Sequence, residues 1–214
     1  MKIAILIRNY NRSAGGLERY CVEITERLSA DHDVHVFSQK NDEISHSITF
    51  HKISQYFEKP RFINQLLFSW LTKRATFGKF DIVHSHELVT HADIYTIHVP
   101  CFKSMWIDIN GYRKILRLLN TLLSPRKMCY LWLENQRMKL LPRRHFISVS
   151  EYLSSNIKLC YPEINNITIA HPGIKINKSI NIKTKTSSNI KKQLSIPNNS
   201  FTILFVGNDF KKKG

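Results

Sequence analysis

Acidic residues are scarce in this chain. Only 16 Asp and Glu stand against 32 Lys and Arg in 214 residues, a net charge of +16 with a pI near 9.8. That imbalance implies an anionic partner: nucleic acid, phosphate-bearing substrates or an acidic membrane surface. Cysteine is equally sparse. Cys21, Cys101, Cys129 and Cys160 are scattered with no CxxC pair, so a disulfide framework is excluded and they read as reduced thiols. No run comes near the roughly 18 apolar residues of a spanning helix. The apolar stretch from Ile3 to Ile7 is too short for the core of a signal peptide. The expectation is a cytoplasmic protein, soluble or peripheral on the inner face of the membrane.

Several chemical signatures are missing as well. Neither GxGxxG nor GxxxxGK[ST] occurs at the glycine pair Gly15–Gly16. "HSHELVTHADIYTIH" holds His84, His86, His91 and His98 beside Glu87, yet HExxH is not met, so no metal is expected. No RNP, zinc-finger or helix-turn-helix pattern appears, which weakens a nucleic-acid reading of the charge.

Hydrophobic residues make up 43% of the chain, enough for a packed core. Residues 2–7 read as a strand buried on both faces, and Leu17, Cys21, Ile24 and Leu28 form a helical stripe after it. "DVHVFS" (33–38), "SITFHKIS" (47–54), a helix near 61–77, "FDIVHSH" (80–86) and "DIYTIHV" (93–99) follow. "RRHFISVS" (143–150), a helix from about 151 and "NITIAH" (166–171) continue the series. Strands alternating with helices predict βαβ units and a parallel Rossmann-like α/β sheet. Residues 1–175 read as one domain and 176–200 as a solvated linker with a short helix near 186–194. "FTILFV" (201–206) reads as a new buried strand, so residues 201–214 are expected to open a second, truncated domain.

Two glycines between a strand and a helix let the backbone approach a ligand and adopt positive φ. The helix behind them aims free N–H groups at whatever sits there, so a phosphate or sugar hydroxyl is a natural guest, beside the simpler reading of a tight turn. His86 falls at the C-terminal end of a parallel strand, where ligands collect. Residues 103–145 hold ten Lys or Arg against Asp108 and Glu134, a local +8. Within them "YRKILRLLNTLL" (112–123) is amphipathic: Tyr112, Ile115, Leu116, Leu119, Leu122 and Leu123 share a face, with Arg113, Lys114 and Arg117 off it. Such a helix is either a membrane-surface element or a core-packing helix with a basic outer face. Four to six charges near an anionic leaflet supply roughly 4–6 kcal/mol of attraction before screening.

"AGGLERYCVEIT", "DIVHSH", "TIHVP", "FISVSEYLSSNI", "ITIAHPGI" and "FTILFVGNDFKKKG" occur in one order. In that order the chain resembles the N-terminal half of a family 4 glycosyltransferase of the GT-B fold, similar to lipopolysaccharide core glucosyltransferases. The resemblance implies transfer from a nucleotide sugar to a glycan or lipid-linked acceptor with retained anomeric configuration, and no further cofactor. It implies that Gly15, Gly16, Lys212 and Lys213 contact the donor, with Lys178 as a further phosphate contact. It places His98 as the catalytic residue beside the reacting sugar, and Arg19 and His86 on the acceptor side. The chain departs from those relatives at Tyr20, where they carry an acidic residue. The family's glutamate pair and nucleobase pocket belong to a second domain, so the chain by itself is expected to be inactive. A nucleic-acid binder and a membrane-surface adaptor without catalysis are the competing classes.

Overall fold

Alternation along the first strand sets the architecture. In β1 (Lys2–Leu6) Ile3 and Ile5 turn to one face and Ala4 and Leu6 to the other, and all four are buried. A strand apolar on both sides needs cover on both. The computed structural model, which describes residues 1–43, 45–107, 111–173, 190–197 and 199–204, supplies it. Behind β1 come β2 (Asn9–Tyr10), α1 (Gly16–Leu28), β3 (Asp33–Ser38), β4 (Lys40–Asn41), β5 (Ile48–Lys52) and α2 (Arg61–Thr76). Next are β6 (Ile82–Ser85), β7 (Ile94–Ile97) and a 3-10 helix at Phe102–Trp106. The series ends with α3 (Tyr112–Leu122), α4 (Pro125–Arg137), β8 (His145–Ser148), α5 (Glu151–Cys160) and β9 (Ile167–Ile169).

The main sheet is seven-stranded and parallel throughout, in the order β5-β3-β1-β6-β7-β8-β9. This is the expected α/β class. From β1 the chain winds outward through β3 and β5, then crosses back to β6 on the other side. The order reverses between β1 and β6, the place where doubly wound sheets collect ligands at the C-terminal ends of their strands. One core cluster joins Ile3, Ile5, Ile7, Val34 and Val36 to Cys21 and Val22 of α1. The other joins Ala4, Leu6, Phe37 and Tyr95 to Phe68 of α2, Met138 beyond α4 and Ile157 of α5.

Helix α1 keeps most of its predicted stripe, with Leu17 and Leu28 packed against the cluster that holds Cys21. The residues it buries are Cys21, Val22 and Thr25, while Ile24 is half-buried. Thr25 tolerates the core because its hydroxyl donates to the Cys21 carbonyl one turn back, at 2.7 Å. The chain divides into two compact units, Met1–Pro172 and Gly173–Gly214. In the second, residues 190–193 are helical, and the rest of the helix expected over 186–194 falls partly outside the described residues. Of the buried strand expected at 201–206, only residues 201–204 are described. Residues 201–204 lie in no sheet, and Phe201, Ile203 and Leu204 are more than four-fifths exposed. Lys178, Lys212 and Lys213 lie outside the described residues.

Candidate functional site

The loop leaving β1 runs into α1 through the glycine pair. Arg12 pins it, its guanidinium bridging Glu23 and Glu26 of α1 while its backbone N–H donates to Glu43 at 2.7 Å. Gly15 is the residue before the helix, with φ 176 and ψ 179. That is extended backbone, so the expected positive φ is not used at either glycine of the pair. The missing side chains act differently. A Cβ on Gly15 would stand 2.6 Å from Glu18 Oε2, and one on Gly16 would occupy open space. No side chain caps the N-terminus of α1 by a hydrogen bond, and the Glu18 carboxylate of the first turn lies beside Gly15 at its positive end. Arg19 is exposed on that same turn, its N–H bonded to the Gly15 carbonyl at 3.0 Å.

Three histidines gather at the ends of β6 and β7. His84 Nε2 pairs with Thr96 Oγ1 at 2.7 Å across the two strands. His86 Nδ1 pairs with His98 Nε2 at 3.1 Å, and the rings of His84 and His86 lie 4.6 Å apart. Tyr20 of α1 sets its ring edge against both His86 and His98, with centroids at 6.0 and 5.2 Å. Its hydroxyl donates to the Ala170 carbonyl just past β9, at 3.4 Å. Tyr20 thus seals one wall of the cluster.

Burial keeps these rings neutral. It pushes His84 down to about 4, with the charge of His98 adding to the effect. His98 is pushed to about 4, by burial first and the charge of Arg137 second, and His86 lies well below its ordinary value for burial and for its two neighbours. Between two neutral imidazoles one nitrogen donates and the other accepts. His86 Nε2 is buried without a partner. A buried N–H is costlier to orphan than a bare lone pair, so the favoured tautomer has His86 Nδ1–H donating inward. His98 then carries its proton on Nδ1, which has no hydrogen-bond partner among the described residues. The cluster presents a neutral N–H donor, fixed from behind. Among the described residues no group of three or more His, Cys, Asp or Glu is placed to hold a metal ion.

Sequence reasoning missed the residues that fix the segment after His98. Glu134 of α4, only 3% exposed, accepts from the backbone N–H groups of Phe102 and Lys103 and from the Tyr161 hydroxyl. Arg144 is buried and donates to the Gln136, Arg137 and Lys139 carbonyls at 2.7–3.0 Å and to Thr90 at 3.1 Å. It satisfies the open carbonyl end of α4. In the sequence both count only as charges. Arg137 and Arg144 therefore leave the basic surface expected over 103–145, because a buried guanidinium offers nothing to a membrane.

A parallel sheet with a polar, helix-flanked end at its switch point fits many enzymes, so the comparisons with known proteins decide the class. The model of Glycosyltransferase Family 4 matches residues 14–178. The chain belongs to that family. No curated protein sequence matches it. Among solved structures, WaaG, a glycosyltransferase involved in lipopolysaccharide biosynthesis, aligns with a TM-score of 0.74 at 19% identity, over 99% of this chain and 56% of that one. A glycosyltransferase from Rickettsia africae ESF-5 aligns at 0.48 and 16%, over 92% and 50%. The chain thus spans about half the length of these relatives. The likeness to WaaG shows the fold, a Rossmann-like lobe of the GT-B type. In this family 4 lobe the structure brings His86 and His98 together beside α1, with Arg19 one residue from the Tyr20 wall.

Proposed function

We propose that this family 4 chain forms the acceptor-side lobe of an enzyme that moves a sugar from a nucleotide-sugar donor to a glycan or lipid-linked acceptor of the cell envelope, with retained configuration. The observation that carries the reading is the His86–His98 pair, a neutral donor held at the ligand-collecting end of the sheet. Departure of a nucleoside diphosphate puts growing negative charge on its oxygens and positive charge on the sugar ring. A neutral imidazole N–H steadies a sugar hydroxyl without opposing that cationic ring, as an imidazolium would. The uncapped end of α1 at Gly15–Gly16, together with Lys212 and Lys213 by resemblance, suits the diphosphate. WaaG acts in lipopolysaccharide biosynthesis, and that supports an envelope acceptor here. The test is transfer of labelled sugar by the full-length protein from a panel of nucleotide sugars to lipooligosaccharide. Transfer that His98→Ala reduces by two orders of magnitude or more is expected, and no transfer with any donor ends the reading.

Helix α3 favours a location for that chemistry. Ile115, Leu116, Leu119 and Leu122 are 50–61% exposed and Leu123 is 83% exposed. They do not pack into the core, so of the two readings of this helix the membrane-surface one is supported. Arg126, Lys139 and Arg143 are exposed nearby in sequence. An apolar helix face flanked by cations suits an anionic leaflet. Flotation with phosphatidylglycerol vesicles that Leu119→Gln/Leu122→Gln abolishes is the expected result. Flotation in a full-length protein without transfer would favour the adaptor.

A further inference from the structure

One basin beside the switch point is not used by the histidine cluster. It encloses about 440 Å³ at the C-terminal ends of β1 and β3 and is walled by Arg8, Lys40, Lys59 and Arg61. Glu87 already neutralises Arg8, gripping its Nε at 3.0 Å and its backbone N–H at 3.2 Å. The other three cations make no ion pair among the described residues, and Glu58 is the one acid in the wall. The positive end of the 16-residue helix α2 opens at Arg61 with no acid in its first turn and no side-chain cap. The floor is polar. Gln39 and Asn64 lock their amides in two reciprocal hydrogen bonds of 2.7 and 3.0 Å, both residues buried. Asn9, also in the wall, has a buried carbonyl oxygen without a partner.

We infer that this basin seats a phosphomonoester carried by the saccharide acceptor. Three cations without ion pairs and a helix terminus line the basin and suit one anion, while the amide floor of Gln39 and Asn64 suits the hydroxyls of the sugar that bears it. Position supports the pairing. The basin lies at the β3–β1 ends and the histidine pair at the β6–β7 ends, two strand spacings along one edge, or about 10 Å. That is the reach of one or two sugar rings, so a phosphorylated acceptor anchored in the basin would present a hydroxyl near His98. Glu87 joins the two places, being bonded to Arg8 and adjacent to His86. The role as acceptor seat rests on the transferase reading, whereas the binding of a sugar phosphate does not.

Binding is therefore measured directly, by amide NMR titration of the 214-residue chain with glucose 6-phosphate, glucose and inorganic phosphate at low salt. Glucose 6-phosphate is expected to shift the Asn9, Lys40 and Asn64 signals and to bind more tightly than inorganic phosphate, with glucose weakest. Lys40→Ser/Lys59→Ser/Arg61→Ser removes only exposed side chains and should weaken glucose 6-phosphate at least tenfold. Arg126→Ser/Lys127→Ser, on α4, should leave it unchanged. Equal binding by parent and triple variant, tighter binding of inorganic phosphate, or no binding by either phosphate overturns the proposal. In the full-length protein, absence of all sugar transfer alongside intact basin binding would count against the transferase reading alone. Transfer with no basin binding would count against the basin alone.

Discussion

The edge of the sheet and helix α3 invert the usual distribution of side chains. At the edge, ionisable rings are buried: His84 and His86 are each 5% exposed and carry no charge near neutrality. On α3 a row of leucines lies open to solvent. Each inversion costs free energy that folding by itself does not recover, since buried polar groups need partners and exposed apolar surface gains nothing from water. Both are therefore the places in the lobe that depart furthest from an ordinary soluble surface and core. Positive charge divides in the same way. Arg144 is spent inside the protein on carbonyl groups, whereas Lys40, Lys59 and Arg61 stay available outside it.

Acid should break the buried side of the comparison most strongly. His84, His91 and His98 have folded values near 4 against an ordinary 6.5, so the unfolded chain takes up protons first as pH falls. Stability is then level above about pH 6.5 and drops between there and pH 4, by about 1.4 kcal/mol per pH unit for each fully titrating histidine. Urea midpoints from pH 7.5 to 4.5 measure the slope, and a midpoint flat across that range would show that the rings are not buried as described.

Truncation sharpens the contrast. Phe68→Ala, under the sheet and 0% exposed, is expected to cost about 3–5 kcal/mol, whereas Leu119→Ala on α3 should stay within about 0.5 kcal/mol. Comparable losses in thermal unfolding would place α3 in a core after all. Arg144→Met comes next, at about 2–3 kcal/mol, because the carbonyls at the end of α4 lose their donor. Its Tm should recover little in Arg144→Lys, which has no planar fork to reach several carbonyls. The smallest effect is expected at Gly15→Ala. Its extended backbone accepts any residue, and only the end of the Glu18 side chain must move, so the change should be under about 0.5 kcal/mol. A much larger loss would mean that this loop needs glycine for its backbone rather than for the space it leaves.

Much of the fold was legible beforehand. The alternation of Ile3, Ala4, Ile5 and Leu6 announced a strand covered on both faces, and "DIYTIHV" and "FISVS" fell on β7 and β8. The site was legible as a list of residues, not as an arrangement. "HSH" and "TIHVP" marked His86 and His98, but nothing in their spacing said that two nitrogens would meet at 3.1 Å. In the sequence Glu134 is one acid among ten basic residues and Arg144 one of those ten, while Arg8, Lys40, Lys59 and Arg61 carry no pattern because loops separate them in the chain.

Local pattern by itself determined the seven strands of the main sheet and helices α1, α2, α3 and α5, because backbone periodicity depends only on near neighbours and on which side chains avoid water. The pairing of His86 with His98, the burial of Arg137 and Arg144, and the gathering of distant cations at one basin were decided by the crossover from β5 back to β6, by the strand register and by the packing of α4. Those bring together residues whose separation along the chain carries no record of the distance between them in space.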